Sequence, residues 1–486
     1  MGGFLHVTAG DLAAVAPEIV LSAAGILLIL LDAFARPTRA SFPYVSLAAL
    51  ALANIVGAAT TGTWFAGAVE TSALTRFVEM LALGGAAFAI LGGGAALARD
   101  GKNQGEFYAL LLWSAAGAML MTKGTDLLVI FIGLELMSIP LYVLAAWYRE
   151  IPAATEAGMK YFLMGALSSA VLLYGVATLY GRTGTTSLTR LVGLAAGPSP
   201  FAFDPLVTVG TVAILAAVAF KLALVPFHSW APDVYQGMTT PAVTFLSTIP
   251  KAAAAVFLVR LLHATGVAAA GDPWRGLLSL LAVASILFGN VVALSQRDLK
   301  RMLAYSGIAQ MGYLAIALAT FTRDALEGAL VFLAGYLFSN AAAFLTVAAL
   351  SSGETEPKTL ADLAGLGKRN GAAAGLLTLS MVSLTGLPPT VGFIGKLLVF
   401  RSAVDAGLVG LALVGVFGSL VSVGYYLRVV HVLWMKEPSR EVPLHEDDVM
   451  AGAAWLLLGA GVLIFGLFPR GLIDVARVAA QAFGSR

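Results

Sequence analysis

The sequence predicts an all-α polytopic membrane protein with about fourteen transmembrane helices, and two observations support this fold class. Of its 486 residues, 59% are apolar and only 12% are charged, whereas soluble globular chains carry about 25% charged residues. Apolar runs of about 20 residues recur along the whole chain, and a helix of that length crosses a hydrocarbon core of about 30 Å. The runs are continuously apolar and do not alternate at every second position, so they indicate helices and not a β-barrel.

Charged residues, prolines and glycines divide the apolar sequence into these spans. No polar segment between them is long enough to form a soluble domain with its own core. The predicted spans are 14–34, 42–62, 74–98, 106–122, 126–147, 155–180, 206–235, 241–264, 275–295, 301–320, 324–351, 372–405, 408–434 and 449–468. Residues 471–483 predict a short helix at the membrane interface, with Leu472, Ile473, Val475 and Val478 on one face.

The composition also limits the chemistry of the chain. It contains no cysteine, which excludes disulfides, thiolate zinc sites and cysteine-ligated iron–sulfur clusters. We therefore expect any redox centre to lie on another chain. The net charge of +2 gives no indication of nucleic-acid binding. Residues 1–14 lack a basic region and a small-residue cleavage site, so we expect the first apolar run to be a retained helix.

The lysines and arginines of the connecting loops predict the orientation, because cytoplasmic loops carry an excess of these residues. Seven lie in one set of alternate loops, namely Arg76, Lys123, Arg182, Arg190, Arg275, Arg323 and Arg401. Thirteen lie in the other set, namely Arg36, Arg39, Arg99, Lys102, Arg149, Arg297, Lys300, Arg301, Lys358, Lys368, Arg369, Lys436 and Arg440. The larger set is predicted to be cytoplasmic, and an even number of spans then places both termini on the outer side.

Two spans contain prolines near their middle, where proline breaks a helix and frees backbone groups. The seventh span is interrupted around Pro226 and Pro232, and the twelfth around Gly386, Pro388 and Pro389. One such kink is often only structural, but two breaks five spans apart predict inverted repeats of five helices, spans 4–8 and 9–13. The predicted organisation is a three-helix segment at 1–105, a first repeat at 106–264, a second repeat at 275–434, and a C-terminal span with its interfacial helix at 435–486.

Four ionisable side chains lie deep in the predicted spans, where a charge costs about 2.5–3.5 kcal/mol and is usually retained for function. Glu135 and Lys251 lie about 15 Å from the start of their spans. Lys221 immediately precedes the first break, and Lys396 follows the second by about two turns. A lysine near a helix end can instead extend to the headgroups, which is the alternative for Lys160. Together, the deep groups predict a polar path inside the helix bundle.

A carboxylate paired with an amine makes a proton site whose affinity depends on their separation. Glu135 is the expected carboxylate, and the helix break beside Lys221 would allow the separation to change. His228 could carry protons toward water, although a single histidine is more often structural. Tyr305 and Gln310 could order water, or could serve only in helix packing.

Five runs of sequence resemble the subunit N family of proton-pumping NADH:quinone oxidoreductase, respiratory complex I. They are FKLALVPFHSWAPDVYQGMTTPAVTFLSTIPK at 220–251, GLELMSIP at 133–140, EAGMKYF at 156–162, DLKRMLAYS at 298–306 and LTGLPPTVGFIGK at 384–396. The related subunits L and M, and the large subunits of multi-subunit sodium/proton antiporters, usually have Trp-Leu-Pro-Asp-Ala at the motif that here reads WAPDV, at 230–234. This difference favours subunit N.

The resemblance implies that four residues form the proton path, namely Glu135, Lys221, Lys251 and Lys396. It also implies that Lys160 and His228 belong to the family's hydrophilic axis. Some relatives have a histidine in helix ten where this chain has Gln310. Because glutamine does not titrate, proton transfer between the two halves would depend on bound water here.

The resemblance therefore implies a translocase subunit of a bacterial plasma membrane that moves protons outward. NADH, flavin, iron–sulfur clusters and quinone are expected on other membrane and peripheral subunits, and no cofactor or metal is expected on this chain. Two alternatives remain at this point. One is a subunit of a sodium/proton antiporter, and the other is an inverted-repeat solute carrier whose broken helices bind an organic anion.

Overall fold

The computed structural model describes residues 7–35, 41–58, 60–99, 101–102, 104–196, 203–267, 272–350, 359–438 and 449–483. The N-terminal helices are α1 (Ala9–Ala14), α2 (Ala16–Leu30), α3 (Phe42–Gly57), α4 (Ala73–Arg99) and α5 (Gly105–Lys123). The next group is α6 (Leu127–Ala145), α7 (Pro152–Thr183), α8 (Leu188–Ala195), α9 (Pro205–Leu222), α10 (Trp230–Gly237), α11 (Thr240–Leu246) and α12 (Ile249–Ala264). The remaining helices are α13 (Asp272–Ser295), α14 (Leu299–Thr320), α15 (Arg323–Ala349), α16 (Leu366–Arg369), α17 (Gly371–Thr385), α18 (Val391–Asp405), α19 (Val409–Met435), α20 (Val449–Leu467) and α21 (Arg470–Gln481).

The all-α membrane fold is confirmed, and each predicted span contains at least one helix. In the part of the chain that the structure describes, 11 helical segments are long and apolar enough to cross a membrane, while α3 and α17 are apolar but shorter. The total number of spans and the inverted repeats stay predictions. Four residues used to predict the orientation lie outside the described residues, namely Arg36, Arg39, Lys358 and Arg440.

A small β-hairpin replaces the end of the second predicted span, so the predicted limits of 42–62 were wrong. Gly62–Trp64 pairs antiparallel with Val69–Thr71, and the glycine and the β-branched threonines in this segment favour a strand over a helix. The Phe65 amide donates a 2.5 Å hydrogen bond to Asp11 Oδ1. This bond holds the pKa of the Asp11 carboxyl below its usual range and fastens the hairpin to α1.

Both predicted helix breaks are present. The first separates α9 from α10, and Ala223 adopts the left-handed conformation at a φ of 56°. The second separates α17 from α18, and Gly386 has a φ of 88°, which glycine adopts without a steric penalty. The prolines cannot donate the hydrogen bonds that would continue each helix. Carbonyl groups at the ends of α9 and α17 are therefore available to other donors.

A third interruption, not predicted from the sequence, separates α11 from α12. The first helix ends at Leu246 and the second begins at Ile249. Pro250 lies in the first turn of α12, where the missing amide hydrogen costs nothing because that position has no intrahelical acceptor. Lys251 is therefore at the start of a helix within the membrane and not in the middle of one.

The three helical segments that carry the central polar groups lie at the centre of the protein. In α11–α12, α14 and α15, 94% of each apolar window is buried, whereas α2 and α20 are only 28% buried and α7 is 33% buried. Apolar residues on the peripheral helices face outward, as expected for surfaces that contact lipid or other membrane chains. The centre is therefore shielded from the hydrocarbon by a ring of helices.

The C-terminal amphipathic helix α21 packs against α4 and α15. On the predicted apolar face, Val475 and Val478 are 50% and 57% exposed, and Leu472 and Ile473 are partly buried against the core. The fully buried side chains of this helix are Ala476, Ala479 and Ala480. Small side chains let helix backbones approach closely. Arg477 also forms a 3.1 Å ion pair with Glu327 of α15.

A group of buried ion pairs holds α2, α4 and α5 together. Lys123 Nζ lies 2.9 Å from Glu18 Oε1 and 3.8 Å from Glu79 Oε2. Arg76 donates a 2.8 Å hydrogen bond to Glu79 Oε1. The side chains of Lys123, Glu18 and Glu79 are only 2%, 8% and 3% exposed. Lys123 and Arg76, counted as loop residues in the orientation prediction, thus serve to neutralise two buried carboxylates.

We expect Lys123→Met to lower the free energy of unfolding by about 3–5 kcal/mol, because it leaves buried carboxylates without their shared cation. Adding Glu18→Gln should recover part of this loss, since one of the two carboxylates is then neutral. Thermal and denaturant unfolding of the purified membrane protein would measure both effects.

Glu150→Gln is the matched control, because it also removes one member of an ion pair. A hydrogen bond from Lys102 holds the pKa of the Glu150 carboxyl below its usual range, but the Glu150 side chain is 57% exposed. Surface ion pairs contribute little to stability, so the control should unfold like the unmodified protein. Equal stability of Lys123→Met and Glu150→Gln would contradict the role assigned to Lys123.

Candidate functional site

Glu135 and Lys221, on α6 and α9, hydrogen-bond to two different serines. Lys221 Nζ donates a 2.7 Å hydrogen bond to Ser138 Oγ, and Glu135 accepts a hydrogen bond from Ser169 Oγ. Although both residues are described, no ion pair joins Glu135 to Lys221, so the expected carboxylate–ammonium contact is absent. Ser138 lies one turn after Glu135 on the same helix and takes the position next to the ammonium. The Ser138 hydroxyl accepts a hydrogen bond from Lys221 and donates one to the Leu134 carbonyl, so it does not hydrogen-bond to Glu135.

Aromatic rings surround the Lys221 ammonium. Its Nζ lies 5.3 Å from the ring centroid of Tyr142 and 5.6 Å from that of Tyr161. The Trp230 ring stacks on Tyr161 at a centroid distance of 4.7 Å and an angle of 12°. Trp230 Nε1 also donates a 2.9 Å hydrogen bond to the carbonyl of Phe220, a group near the end of α9. The ring faces stabilise a cation that lies out of water.

Lys251 is the most isolated of the deep lysines and is 1% exposed. Its Nζ lies 5.8 Å from the ring centroid of Tyr235 and 5.5 Å from that of Tyr336. Within the described residues, its ammonium makes no hydrogen bond or ion pair. The hydroxyls of Tyr235 and Tyr336 are also buried without partners. Buried polar groups are normally satisfied by protein or by ordered water, so this group of atoms suits bound water.

Lys396 binds the carbonyl groups that the second helix break makes available. Its Nζ donates 3.0 Å hydrogen bonds to the carbonyls of Leu384 and Thr385 and lies 4.4 Å from the ring centroid of Tyr313. Gln310 Nε2 donates a 2.8 Å hydrogen bond to the same Leu384 carbonyl. One backbone oxygen thus joins the predicted water-ordering glutamine to the predicted terminal lysine.

A small cavity extends between the surroundings of Lys251 and those of Lys396. It is lined by Gln310, Phe332, Gly335, Tyr336, Ser339, Ser383, Leu384, Gly392 and Lys396. The cavity has room for about one water molecule. Because the ring of Tyr336 faces Lys251 and its side chain also lines the cavity, the two lysine sites have one tyrosine in common.

Lys160 belongs to a network of ion pairs and does not simply extend to the headgroups. Its Nζ lies 2.5 Å from Glu156 Oε1 and 2.6 Å from Asp233 Oδ2, and its side chain is 41% exposed. The other oxygen of Asp233 lies 2.5 Å from Arg301. The network therefore joins α7, α10 and α14 near one end of these helices.

His228 and Tyr305 do not contact the deep lysines. The His228 ring packs at 4.6 Å from Phe288, and its Nδ1 is buried without a partner. Tyr305 packs on the same phenylalanine at 6.3 Å. Neither side chain hydrogen-bonds to Glu135 or to any of the three deep lysines, so their predicted part in the hydrophilic axis stays a prediction.

Several contact residues of the site were not predicted from the sequence, among them the tyrosines around the deep lysines and the polar residues Ser138, Asp233 and Arg301. Ser138 is a polar residue one turn from Glu135 within an apolar run, and that spacing was the available signal. Asp233 and Arg301 lie near helix ends, where charged residues are common, so the sequence carried no signal for their pairing. No cluster of three or more His, Asp or Glu side chains that could bind a metal ion occurs among the described residues.

Comparison with known proteins identifies the family. A family model described as NADH:quinone oxidoreductase/Mrp antiporter, TM, matches residues 124–422. NADH-quinone oxidoreductase subunit N of Trichlorobacter lovleyi is 38% identical over 479 residues, which is 97% of each chain. The subunit N of Rhodospirillum rubrum is 37% identical over 476 residues, or 96% of each chain. A chain in the structure of respiratory complex I from Thermus thermophilus with bound aureothin matches with a TM-score of 0.81 and 32% identity, over 95% of this chain and 99% of that chain. The chain thus belongs to the subunit N family of NADH-quinone oxidoreductases, within the larger group of antiporter-like membrane proteins.

Proposed function

We propose that the chain moves protons across the membrane as the antiporter-like subunit N of an NADH-quinone oxidoreductase. The observation that carries this proposal is a row of three buried lysines, each beside a helix interruption. Lys221, Lys251 and Lys396 are 2%, 1% and 4% exposed. Ionisable groups at such positions in membrane proteins mark ion pathways.

The proposed path begins at the cytoplasmic side near Lys160, reaches Lys221, continues past Lys251 and Gln310 to Lys396, and ends at the outer side. Glu135 acts on Lys221 through its charge and without a direct ion pair, while Ser138 binds the Lys221 ammonium. The Gln310 amide hydrogen-bonds but does not titrate, so bound water carries the proton past it. The shared Leu384 carbonyl and the adjacent cavity support this assignment.

The partners of the three ammonium groups suit proton transfer. Lys221 contacts the hydroxyls of Ser138 and Tyr142 and aromatic rings, Lys251 contacts aromatic rings, and Lys396 contacts carbonyls and a ring. A carboxylate in direct contact would hold a proton on the amine. None of the three ammonium groups has such a contact, which supports a role in which each must give the proton up.

The surroundings of Glu135 support assembly with a second membrane chain. Glu135 is only partly buried, and its neighbours Ile132 and Ile139 on α6 are 56% and 54% exposed. A carboxylate at this depth is too costly to leave against lipid. We propose that another subunit covers this face, and that NADH, flavin, iron–sulfur clusters and quinone bind elsewhere in the assembly. The proposed location is a bacterial plasma membrane, with both chain termini on the outer side.

Copurification tests the assembly directly. A tagged chain should copurify with subunits that carry flavin and iron–sulfur clusters, and its deletion should abolish NADH-driven proton pumping. Recovery with antiporter-like chains alone, together with normal NADH-driven pumping in the deletion strain, would contradict the proposal in favour of sodium/proton exchange.

Glu135→Gln removes one charge with little change in volume, so we expect normal assembly. NADH-driven proton pumping should fall by at least about tenfold, because the variant loses an ionisable group that acts on Lys221. Pumping in inverted vesicles, normalised to assembled complex, measures the effect. Unchanged pumping by assembled Glu135→Gln complex would remove this residue from the path.

Lys221→Ala should impair pumping more strongly than Lys160→Ala. The first change removes a buried amine at the first helix break, whereas the second removes a partly exposed amine that already has two carboxylate partners. Quinone-coupled pumping of the two assembled complexes should be compared at equal content. A larger loss for Lys160→Ala would reverse the assigned order.

Lys396→Met and Lys396→Arg should both impair pumping, and for different reasons. Methionine keeps a similar length but carries no proton, whereas the guanidinium of arginine stays protonated at any accessible pH. Pumping by the assembled variants should be measured across a range of pH, and alkaline pH should not rescue the arginine variant. Normal pumping by Lys396→Met would mean that Lys396 only fills space beside the break.

A further inference from the structure

Asp233 forms ion pairs with charged side chains of two other helices. It lies on α10, the short helix that follows the first break, and its two oxygens bind different cations. Oδ2 lies 2.6 Å from Lys160 of α7, and Oδ1 lies 2.5 Å from Arg301 of α14. Lys160 comes from the predicted first half of the protein and Arg301 from the second. One carboxylate therefore connects α10 to both halves.

Other contacts place the end of α10 against α14. Arg301 donates a 3.1 Å hydrogen bond to Gln236 Oε1, and Gln236 Nε2 donates a 3.0 Å hydrogen bond to Asp298 Oδ2. Lys300 donates a 3.0 Å hydrogen bond to the Met238 carbonyl. The start of α14 thus binds the far end of α10, and Asp233 is the charged centre of this contact.

The start of α10 packs on Tyr161, whose ring faces the Lys221 ammonium. Trp230 lies one turn before Asp233, stacks on Tyr161 and donates a hydrogen bond to the Phe220 carbonyl. Trp230 and Tyr161 are each 1% exposed. Lys160 and Tyr161 are adjacent, so α7 and α10 are joined by an ion pair and an aromatic stack side by side. A displacement of α10 would move both contacts together.

We propose that Asp233 is a positioning residue that keeps α10 closed over Lys221, and that its release from Arg301 opens the cytoplasmic approach to that lysine. This inference rests on the proposed function, because it assigns a gate to the same proton path. The Trp230–Tyr161 stack is the barrier, and the double ion pair of Asp233 holds the barrier in place.

The ion pairs of Asp233 are partly exposed to solvent, as expected for contacts of a gate that break and form again repeatedly. The side chains of Asp233, Arg301 and Lys160 are 31%, 28% and 41% exposed. Partly hydrated ion pairs contribute little to stability, so one of them can break without unfolding the protein. The ion pair between Asp233 and Arg301 can also couple the conformations of the two halves, because Arg301 lies in the first turn of α14, the helix that carries Gln310.

A single introduced cysteine can measure access to Lys221, because the chain has none of its own. Ser138→Cys places a thiol beside the Lys221 ammonium. Assembled complex in inverted vesicles, without NADH, is treated with a small cationic methanethiosulfonate reagent, and labelling of this chain is followed by mass spectrometry. Labelling should be slow with Asp233 present and about fivefold faster with Asp233→Asn, as expected when loss of one partly exposed ion pair shifts a closed state toward an open one.

Four further variants separate the proposed gating from a general loosening of the structure. Arg301→Gln should also label faster than the unmodified background, and the double variant should label no faster than Asp233→Asn, because Asp233→Asn already removes the ion pair with Arg301. Asp233→Glu should restore slow labelling. Glu150→Gln, which removes a charge from a separate ion pair, should leave the rate unchanged.

Equal labelling of Asp233→Asn and the unmodified background would overturn the proposal, and so would a rate increase in Glu150→Gln. If Ser138→Cys does not assemble, amide hydrogen exchange of 230–237 replaces labelling, and it should accelerate in Asp233→Asn and Arg301→Gln alone. Both measurements use resting complex. Failure of the gate therefore shows as unchanged access, whereas failure of the proposed function shows as normal pumping in Glu135→Gln.

Discussion

Keeping an ammonium group inside a membrane is the constraint on which the structure depends. A regular helix has no free backbone acceptor for such a group, because each carbonyl is already hydrogen-bonded within the helix. A helix end leaves several carbonyls without partners. Lys396 uses two of the carbonyls that are freed at the end of α17. The second helix break therefore creates the site that Lys396 occupies.

The ammonium groups of the three buried lysines are stabilised by three different sets of contacts. Lys221 has two hydroxyls and several aromatic rings, Lys251 has rings and unpartnered tyrosine hydroxyls, and Lys396 has carbonyls and one ring. The helices α14 and α15, which carry Gln310 and Tyr336, are almost fully buried.

Local chemistry explains what the sequence could predict. Proline and glycine change the backbone of the helix in which they lie, so the predictions of helix breaks near Pro226 and Gly386 were correct. A lysine deep in an apolar run can likewise be identified by counting residues from the start of the run. Pro250 gave no clear signal, because proline is well tolerated in a first turn. The position of Ser138 beside Lys221 depends on how α6 and α9 rotate against each other. The burial of Lys123 could not be predicted from the sequence, because a lysine at a helix end usually reaches water.

The helix α21 implies an order of events during biosynthesis. Its alanine face covers α4 and α15, and Arg477 binds Glu327 there. A membrane chain is made and inserted from its N-terminus, and early elements fold first, so α4 and α15 are in place before α21 is synthesised. Until then, the surface that α21 covers has to meet lipid, water or an assembly partner. Because α4 and α15 also pack directly against each other, α21 adds late in translation to a contact that the N-terminal helices and the second half already make.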